Sequence, residues 1–336
     1  MPWFALRRRD LPWRAGHGAW GIWVSEIMLQ QTRVEVVVPF FERFLERFPT
    51  IESLAQSDIE EVLQFWAGLG YYRRARMLHA AAKRVHDDLQ GVIPTDLDGL
   101  LALPGVGPYT AAAIGSLAFG LHAPVVDGNV KRVVARVCAL HLASDDRALH
   151  RESESVGTRW MSLLPRNEAP GALNEAVMEL GATVCTPKLP KCTECPLAEG
   201  CLALVNGDVL RYPRAKKAKA FVEMALFFFV LKQGDAYLLS KRRNGWNIGL
   251  YEPPCVPEEE HESLDAAWHS LSLGSAKLKV LGGSIRHAIT HHKISAQVIE
   301  VTEWQLPSDL PAFAFALPGD VPLTGLARKV VKHASK

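Results

Sequence analysis

Two carboxylates and four thiols are the groups in this 336-residue chain best placed to do chemistry. Glu26 is the lone carboxylate of the helical run Trp20-Gly21-Ile22-Trp23-Val24-Ser25-Glu26-Ile27-Met28-Leu29-Gln30-Gln31-Thr32. Burial there disfavours the charged form and raises the pKa, which suits a general acid; a Glu capping a neighbouring turn is the plainer alternative. Asp127 lies in Val125-Val126-Asp127-Gly128-Asn129, one apolar helical run after Leu103-Pro104-Gly105-Val106-Gly107-Pro108-Tyr109-Thr110. Gly105 and Gly107, either side of Val106, can take positive φ without a Cβ clash, so their amides can approach a phosphate. Such a contact positions DNA without reading its sequence. Pro108 suits the first turn of the next helix, whose N-terminus would face the same anion. Taken alone, a GxG is more often only a tight connection between two helices.

Cys185, Cys192, Cys195 and Cys201 have the spacing C-x6-C-x2-C-x5-C, so four thiolates can close around one metal centre within a single loop. Zinc sites of four cysteines usually pair two close knuckles across a longer segment, and the uneven spacing here favours iron–sulfur. Crowding four of six cysteines into one segment argues for metal over disulfides in a reducing compartment. Met1 to Arg14 lacks the apolar core of a signal peptide, and no apolar run approaches a membrane span, so a cytoplasmic, nucleoid-associated protein is expected.

These groups must be held by two kinds of scaffold. A hydrophobic content of 48% is ample for packed cores, and the length fits two domains. Residues from about Trp20 to Gly207 read as helical, with Ile59 to Trp66 placing apolar groups at helical spacing. Near Asn206-Gly207 the pattern breaks, and Tyr212 to Lys219 reads as an exposed basic linker. Beyond it, Met224–Leu231 and Ala236–Ser240 read as strands around a Gly234-Asp235 turn, Gln297–Val301 as another strand, and Ser263–Leu273 as a helix, so the second domain is α+β. The net charge is only +2, which places any nucleic-acid affinity in local patches. Arg7-Arg8-Arg9, Arg73-Arg74-Ala75-Arg76 and Lys216-Lys217-Ala218-Lys219 are the candidates, each of which alone is more often a solvated face.

The hairpin phrase leading to Asp127 and the cysteine spacing together resemble the helix-hairpin-helix glycosylases of the endonuclease-III-like superfamily. The phrase around Glu26 is similar to that of the adenine DNA glycosylases (MutY) within it. The resemblance is strong over residues 10–205 and looser over 220–330. It implies a multidomain chain: an all-α helix-hairpin-helix core over 1–207, a basic linker over 208–222, and a smaller α+β Nudix-like domain over 223–336. Within the core, a six-helix barrel module would span about 20–125, and an iron–sulfur module would combine the N-terminus with about 126–207. The four cysteines would bind one 4Fe-4S cluster, with Lys188 and Lys191 making the loop basic.

The same resemblance implies a monofunctional DNA glycosylase of base excision repair that hydrolyses the N-glycosidic bond of adenine mispaired with 8-oxoguanine or guanine. The partner is double-stranded DNA carrying such mispairs, bound by a monomer. Glu26 would protonate adenine, ionised Asp127 would stabilise the sugar cation or add to it transiently, and Asn129 would orient Asp127. Bifunctional relatives carry a Lys where this chain has Tyr109, and a phenol cannot form a Schiff base. Gln31 and Tyr71 match residues that intercalate beside the lesion, Leu69 falls near the opposite base, and Arg14 falls at an active-site position. Gly245-Trp246-Asn247-Ile248-Gly249-Leu250-Tyr251-Glu252-Pro253-Pro254 resembles the start of a Nudix-like domain. The Arg-Glu and Glu-Glu group that holds magnesium in a working Nudix hydrolase is missing after it, so this domain is expected to bind and not hydrolyse. Ile289-Thr290-His291 stands where the family reads Phe-Ser-His against 8-oxoguanine. The alternatives are a mismatch thymine glycosylase of the same superfamily and a non-catalytic damage-binding protein.

Overall fold

The computed structural model describes residues 2–216, 220–310 and 312–335. By internal contacts the chain divides into two compact units, Met1–Gln56 with Met77–Lys217, and Ser57–Arg76 with Ala218–Lys336. Of the basic run Lys216-Lys217-Ala218-Lys219, the last three residues lie outside the described residues.

The first unit is helical. Its elements are α1 (Pro2–Arg7), α2 (Gly18–Leu29), α3 (Val34–Arg47) and α4 (Ile51–Ala55); α5 (Ile59–Trp66) belongs to the second unit and α6 (Arg73–Asp88) begins in it. Then come α7 (Leu97–Leu101), α8 (Pro108–Phe119), α9 (Gly128–Val137), α10 (Arg147–Ser162), α11 (Pro170–Thr183) and α12 (Leu202–Val205). Helices α2, α8 and α11 are apolar nearly all round and correspondingly buried, as expected of helices enclosed by others. Around them, start signals are met by side chains. Thr50 and Ser53 form a capping box at α4, Asp146 caps α10, and Pro108 and Pro170 occupy the first turns of α8 and α11. Val130, Val133 and Val134 of α9 form one core with Val177 and Leu180 of α11.

The second unit carries a seven-stranded mixed sheet: β1 (Val222–Gln233), β2 (Ala236–Lys241), β3 (Tyr251–Glu252), β4 (Cys255–Pro257), β5 (Ser275–Ile289), β6 (His292–Gln305) and β7 (Phe313–Ala316). The main path runs β3-β2-β1-β6-β5, with β4 on β1 and β7 on β2; β1 and β6 are parallel and the other pairs antiparallel. Helix α13 (Leu264–Ser270) and helix α14 (Gly325–Ala334) cover opposite faces. Phe227, Phe229 and Leu231 point into the core with Trp268 of α13, while Phe228 and Val230 point into the core with Leu326, Ala327 and Val330 of α14. Burial on both faces is why β1 reads as an unbroken apolar run. The expected strands at 224–231, 236–240 and 297–301 lie inside β1, β2 and β6, and the expected helix at 263–273 is the shorter α13.

Candidate active site and cysteine loop

The helix-hairpin-helix turn differs from expectation at one glycine. Gly105 has φ +74° and lies against α6, where a Cβ would fall 2.4 Å from that of Met77. Gly107 is the N-cap of α8 with φ −96° and ψ 179°, which any residue can adopt, and a Cβ there would meet nothing within 4 Å. The two glycines therefore have different work: one makes the bend and the other leaves open space before a helix N-terminus. Val106 is buried, and its amide donates to the Leu103 carbonyl at 3.2 Å. Of the phrase Gly105-Val106-Gly107, only the glycine amides have no acceptor among the described residues and are left for an outside one.

Helix α8 then carries Tyr109 to Glu26 of α2, and the phenol donates to Glu26 Oε2 at 2.8 Å. Glu26 is 6% exposed. Burial, with the negative charges of Asp127 and Glu175, raises its pKa to about 7 against the lowering effect of the Tyr109 hydrogen bond. Burial also lifts Tyr109 far above its ordinary value, aided by the charges of Glu26 and Asp127, so it stays a phenol and a donor. Asp127 is the N-cap of α9, with Oδ1 accepting from the Val130 amide at 2.7 Å and Oδ2 from Asn129 Nδ2 at 2.9 Å. Burial pushes the Asp127 carboxyl up, and these hydrogen bonds and the Arg132 charge oppose the rise. The two carboxyls thus differ in environment: one is buried against a single donor, the other is held by several donors that favour its anion.

Several residues of this site carry no motif and escaped sequence reasoning. Arg14 pairs with the acidic side chains of α11: its Nε donates to Glu175 Oε1 at 2.7 Å and its Nη2 to Glu179 Oε2 at 3.1 Å. Glu179 also accepts from Arg9 Nε at 2.7 Å, so Arg9 is an internal ion-pair partner and not part of a solvated patch. Burial raises the Glu179 pKa, but the Arg9 and Arg14 contacts outweigh it and hold the group below its ordinary value. The available signal was Glu175 and Glu179, four apart in the otherwise apolar run Glu175 to Gly181, a signature like that which singled out Glu26. Arg132 lies one helical turn beyond Asn129. Its Nη2 donates to Asn129 Oδ1 at 2.7 Å and its Nε to the Cys185 carbonyl at 2.7 Å. Asp127, Asn129, Arg132 and the first cysteine are therefore joined by consecutive hydrogen bonds. Gly181 makes this possible, because a Cβ there would fall 2.6 Å from that of Asn129.

The four cysteines line one pocket between α9, the end of α11 and the loop that follows. Arg136, buried on α9, donates to Cys185 Sγ at 3.3 Å and straps the loop through the Thr186 carbonyl at 2.8 Å. Lys188, Leu189 and Lys191 are exposed around it. Among the described residues no group of three His, Cys, Asp or Glu forms a ready-made site for a single metal ion. Four thiols around one pocket, with a guanidinium on one sulfur, form a soft donor set whose anionic charge is partly offset.

The remaining candidates are partly brought out and partly not. Gln31 and Tyr71 are exposed and have φ +59° and +49°. Leu69 is only 5% exposed. Of Arg73, Arg74 and Arg76 only Arg73 is exposed. The Arg74 guanidinium instead lies over the Trp66 and Tyr71 rings at 5.6 and 5.3 Å. Thr290 and His291 form the turn of the β5–β6 hairpin, with Thr290 exposed at φ +54°. Ile289 is half-buried and packs against the α14-side core.

Residues 24–158 match the HhH-GPD superfamily of base excision DNA repair proteins. The chain is 34% identical to the adenine DNA glycosylase of Homo sapiens, over 96% of this chain and 67% of that one. With the enzyme of Rattus norvegicus it shares 42% identity over 92% and 70% of the two chains, and with that of Buchnera aphidicola (subsp. Schizaphis graminum) 35% over 72% and 69%. The chain belongs to the adenine DNA glycosylases. Such a glycosylase hydrolyses the N-glycosyl bond of adenine in DNA as a step of base excision repair. Its helical part is similar in fold to a thermostable thymine-DNA glycosylase, with TM-score 0.53 and 29% identity over 61% of this chain and 93% of that one. An endonuclease III in a non-covalent DNA complex aligns over the same shares with TM-score 0.50 and 25% identity. Among the described residues no helix is long and apolar enough to cross a membrane.

Proposed function

We propose that the chain is a monofunctional glycosylase acting on adenine opposite 8-oxoguanine or guanine, with Glu26 as general acid and Asp127 as the stabiliser of the sugar cation. The observation that carries this reading is the buried Glu26 carboxyl, titrating near 7, beside an Asp127 held by donors that favour its anion. Adenine is a poor leaving group until N7 is protonated, and a carboxyl with pKa near the working pH keeps a substantial protonated fraction, about half at pH 7, when adenine arrives. As the glycosidic bond breaks, positive charge spreads over the sugar. Asp127 stabilises it or bonds to C1′ transiently, and water then completes hydrolysis. Tyr109 holds the Glu26 carboxyl by its hydrogen bond and, being a phenol, supplies no amine for strand cleavage. Asn129 fixes the Asp127 rotamer, and Arg14 orders the acidic face of α11.

Cys185, Cys192, Cys195 and Cys201 would hold one 4Fe-4S cluster, whose role is to shape the basic loop that presents Lys188 and Lys191 to phosphate. The glycine amides at 105 and 107 and the N-terminus of α8 are a second phosphate contact. The sheet with a helix on each face is the Nudix-like domain, and it reads the 8-oxoguanine strand through Thr290 and His291, while Gln31 and Tyr71 enter the space left by the extruded adenine. Positive φ at Gln31, Tyr71 and Thr290 supports these assignments, since non-glycine residues in that region persist where the surroundings enforce them and cluster at functional sites.

Single-turnover base release from duplexes carrying A:8-oxoguanine, A:guanine and T:guanine, each resolved with and without alkali, tests the reading. Adenine release with strand breaks only after alkali is the expected outcome. Release of thymine, or breaks without alkali, would overturn it.

A further inference from the structure

Within the second unit, helix α14 reaches both the loop that carries Tyr71 and the strand that runs into the Thr290 turn. Arg328 and Lys329 are consecutive and exposed, and each commits a donor to a backbone carbonyl outside its own helix. Arg328 Nη1 donates at 3.2 Å to the carbonyl of Ala67, which closes α5 and opens the Tyr71 loop. Lys329 Nζ donates at 3.1 Å to the carbonyl of Arg286 in β5, just ahead of the turn. Consecutive helical residues project about 100° apart, so one turn of helix can serve two neighbours. The other face of α14 is fixed. Leu326, Ala327 and Val330 are buried in one core, and Ile289, next to Thr290, packs against it.

The Tyr71 loop is a segment that has to be held. Gly68, Gly70 and Tyr71 have φ of +113°, +78° and +49°. A tyrosine in the left-handed region persists only where its surroundings enforce it. Local ties do part of this: the Gly68 amide donates to Tyr72 Oη, and the Gly70 carbonyl accepts from Trp66 Nε1 and from Arg74 Nη2, each at 3.1 Å. These close the loop on itself without setting where it stands relative to the β5–β6 turn. Bonds to the sheet domain set that, and the Arg328 bond, across 261 positions of sequence, falls at the root of the loop. A wedge and a reader that engage one duplex lose affinity if their separation varies, because the ordering must then occur on binding. A helix holds such groups more closely than a loop can.

We propose that Arg328 and Lys329 are positioning residues that set Tyr71 and Thr290 at a fixed separation, so that wedge insertion and lesion reading occur as one step. The inference rests on the roles given above to Tyr71 and Thr290.

Equilibrium binding of the full-length protein to a duplex carrying 2′-fluoroadenosine opposite 8-oxoguanine, and to an undamaged duplex, tests this; the fluorine blocks bond cleavage by disfavouring the sugar cation. Arg328→Ala and Lys329→Ala should each lower the preference for the lesion duplex about 3- to 10-fold, the worth of one hydrogen bond, and Arg328→Lys should keep most of it. Affinity for undamaged duplex and its salt dependence should not change. In a Tyr71→Ala background, Arg328→Ala should lower the preference less than about twofold further, and Lys329→Ala should do the same in a Thr290→Ala background, because each acts through the other residue. Both side chains are exposed on α14, so these variants keep the fold. Losses that add in full would overturn the proposal. So would equal weakening on both duplexes with a salt slope smaller by about 1, which marks a phosphate contact. Full preference in Arg328→Ala and Lys329→Ala, where Tyr71→Ala and Thr290→Ala lower it, overturns the proposal and leaves the roles of Tyr71 and Thr290 standing. If those two substitutions also have no effect, the roles themselves fall and the proposal falls with them.

Discussion

A general acid buried in a helix works against the stability of the fold that holds it, and Glu26 shows the trade. Its carboxyl titrates near 7 in the folded protein against 4.5 for the ordinary group. A raised folded pKa means full stability below about 4.5 and a progressive loss as pH rises through 7, amounting to about 3 kcal/mol at about 1.4 kcal/mol per pH unit. Glu26→Gln should therefore raise the unfolding free energy at pH 8 by up to about 3 kcal/mol and leave it nearly unchanged at pH 4, while base release falls about 10²- to 10⁴-fold. In the unaltered enzyme, single-turnover release should decline on the alkaline side of pH 7. Tyr109→Phe removes the hydrogen bond that lowers the Glu26 pKa, so this alkaline limb should move to higher pH. A limb that stays in place, or a Glu26→Gln protein no more stable at pH 8 than the parent, would separate Glu26 from the acid role. Glu26 was legible because one carboxylate interrupts an apolar run. Arg132 was not, because its role depends on Asn129 and the Cys185 carbonyl meeting it in space, and nothing in Val130 to Val137 distinguishes it from a surface arginine.

At the scale of elements, the hairpin phrase was legible as a turn between helices, but the division of labour between its glycines was not. Both glycines permit positive φ; which one uses it is set by the approach of α6 at Met77, a contact between residues 28 positions apart. The two substitutions should therefore differ in kind. Gly105→Ala combines a left-handed backbone with a Cβ 2.4 Å from that of Met77 and should destabilise the protein by about 2–4 kcal/mol. Gly107→Ala has ordinary dihedrals and open space, so stability should stay within about 0.5 kcal/mol while the new methyl blocks phosphate and weakens duplex binding several-fold. Thermal unfolding alongside duplex titration distinguishes them, and equal binding by Gly107→Ala and the parent would remove the phosphate role. The strands divide similarly. β1 declared itself by its apolar run, but β5 did not: its residues are exposed or half-buried throughout, and a register shift between Val280 and Ser284, at Gly282-Gly283, breaks its alternation. Helix α14 is amphipathic and capped by Thr324, a pattern that the sequence itself carries.

At the scale of the whole molecule, the acid and the proposed lesion reader lie in different compact units. Glu26, Tyr109, Asp127 and the cysteines belong to the first; Tyr71, Thr290 and His291 belong to the second, which gathers residues 57–76 with the sheet. Inside that unit Gln64 Nε2 donates to the Gly319 carbonyl at 3.1 Å and Arg328 to the Ala67 carbonyl at 3.2 Å, so the Tyr71 loop and the sheet are joined directly. No composition shift near Ser57 announces this grouping, because it arises from contacts across more than 200 residues. If recognition belongs to one unit and bond cleavage to the other, their substitutions should act independently. Thr290→Ala should lower the binding preference for A:8-oxoguanine over A:guanine by about 5- to 10-fold, the worth of one hydrogen bond, without moving the pH dependence of base release. Glu26→Gln should abolish release and keep the preference intact. The double variant should show the sum of the two binding effects within about 0.5 kcal/mol, as for sites that share no partners. A coupling well above that, or an alkaline limb displaced by Thr290→Ala, would mean that the turn acts on the acid itself and that the two units work as one.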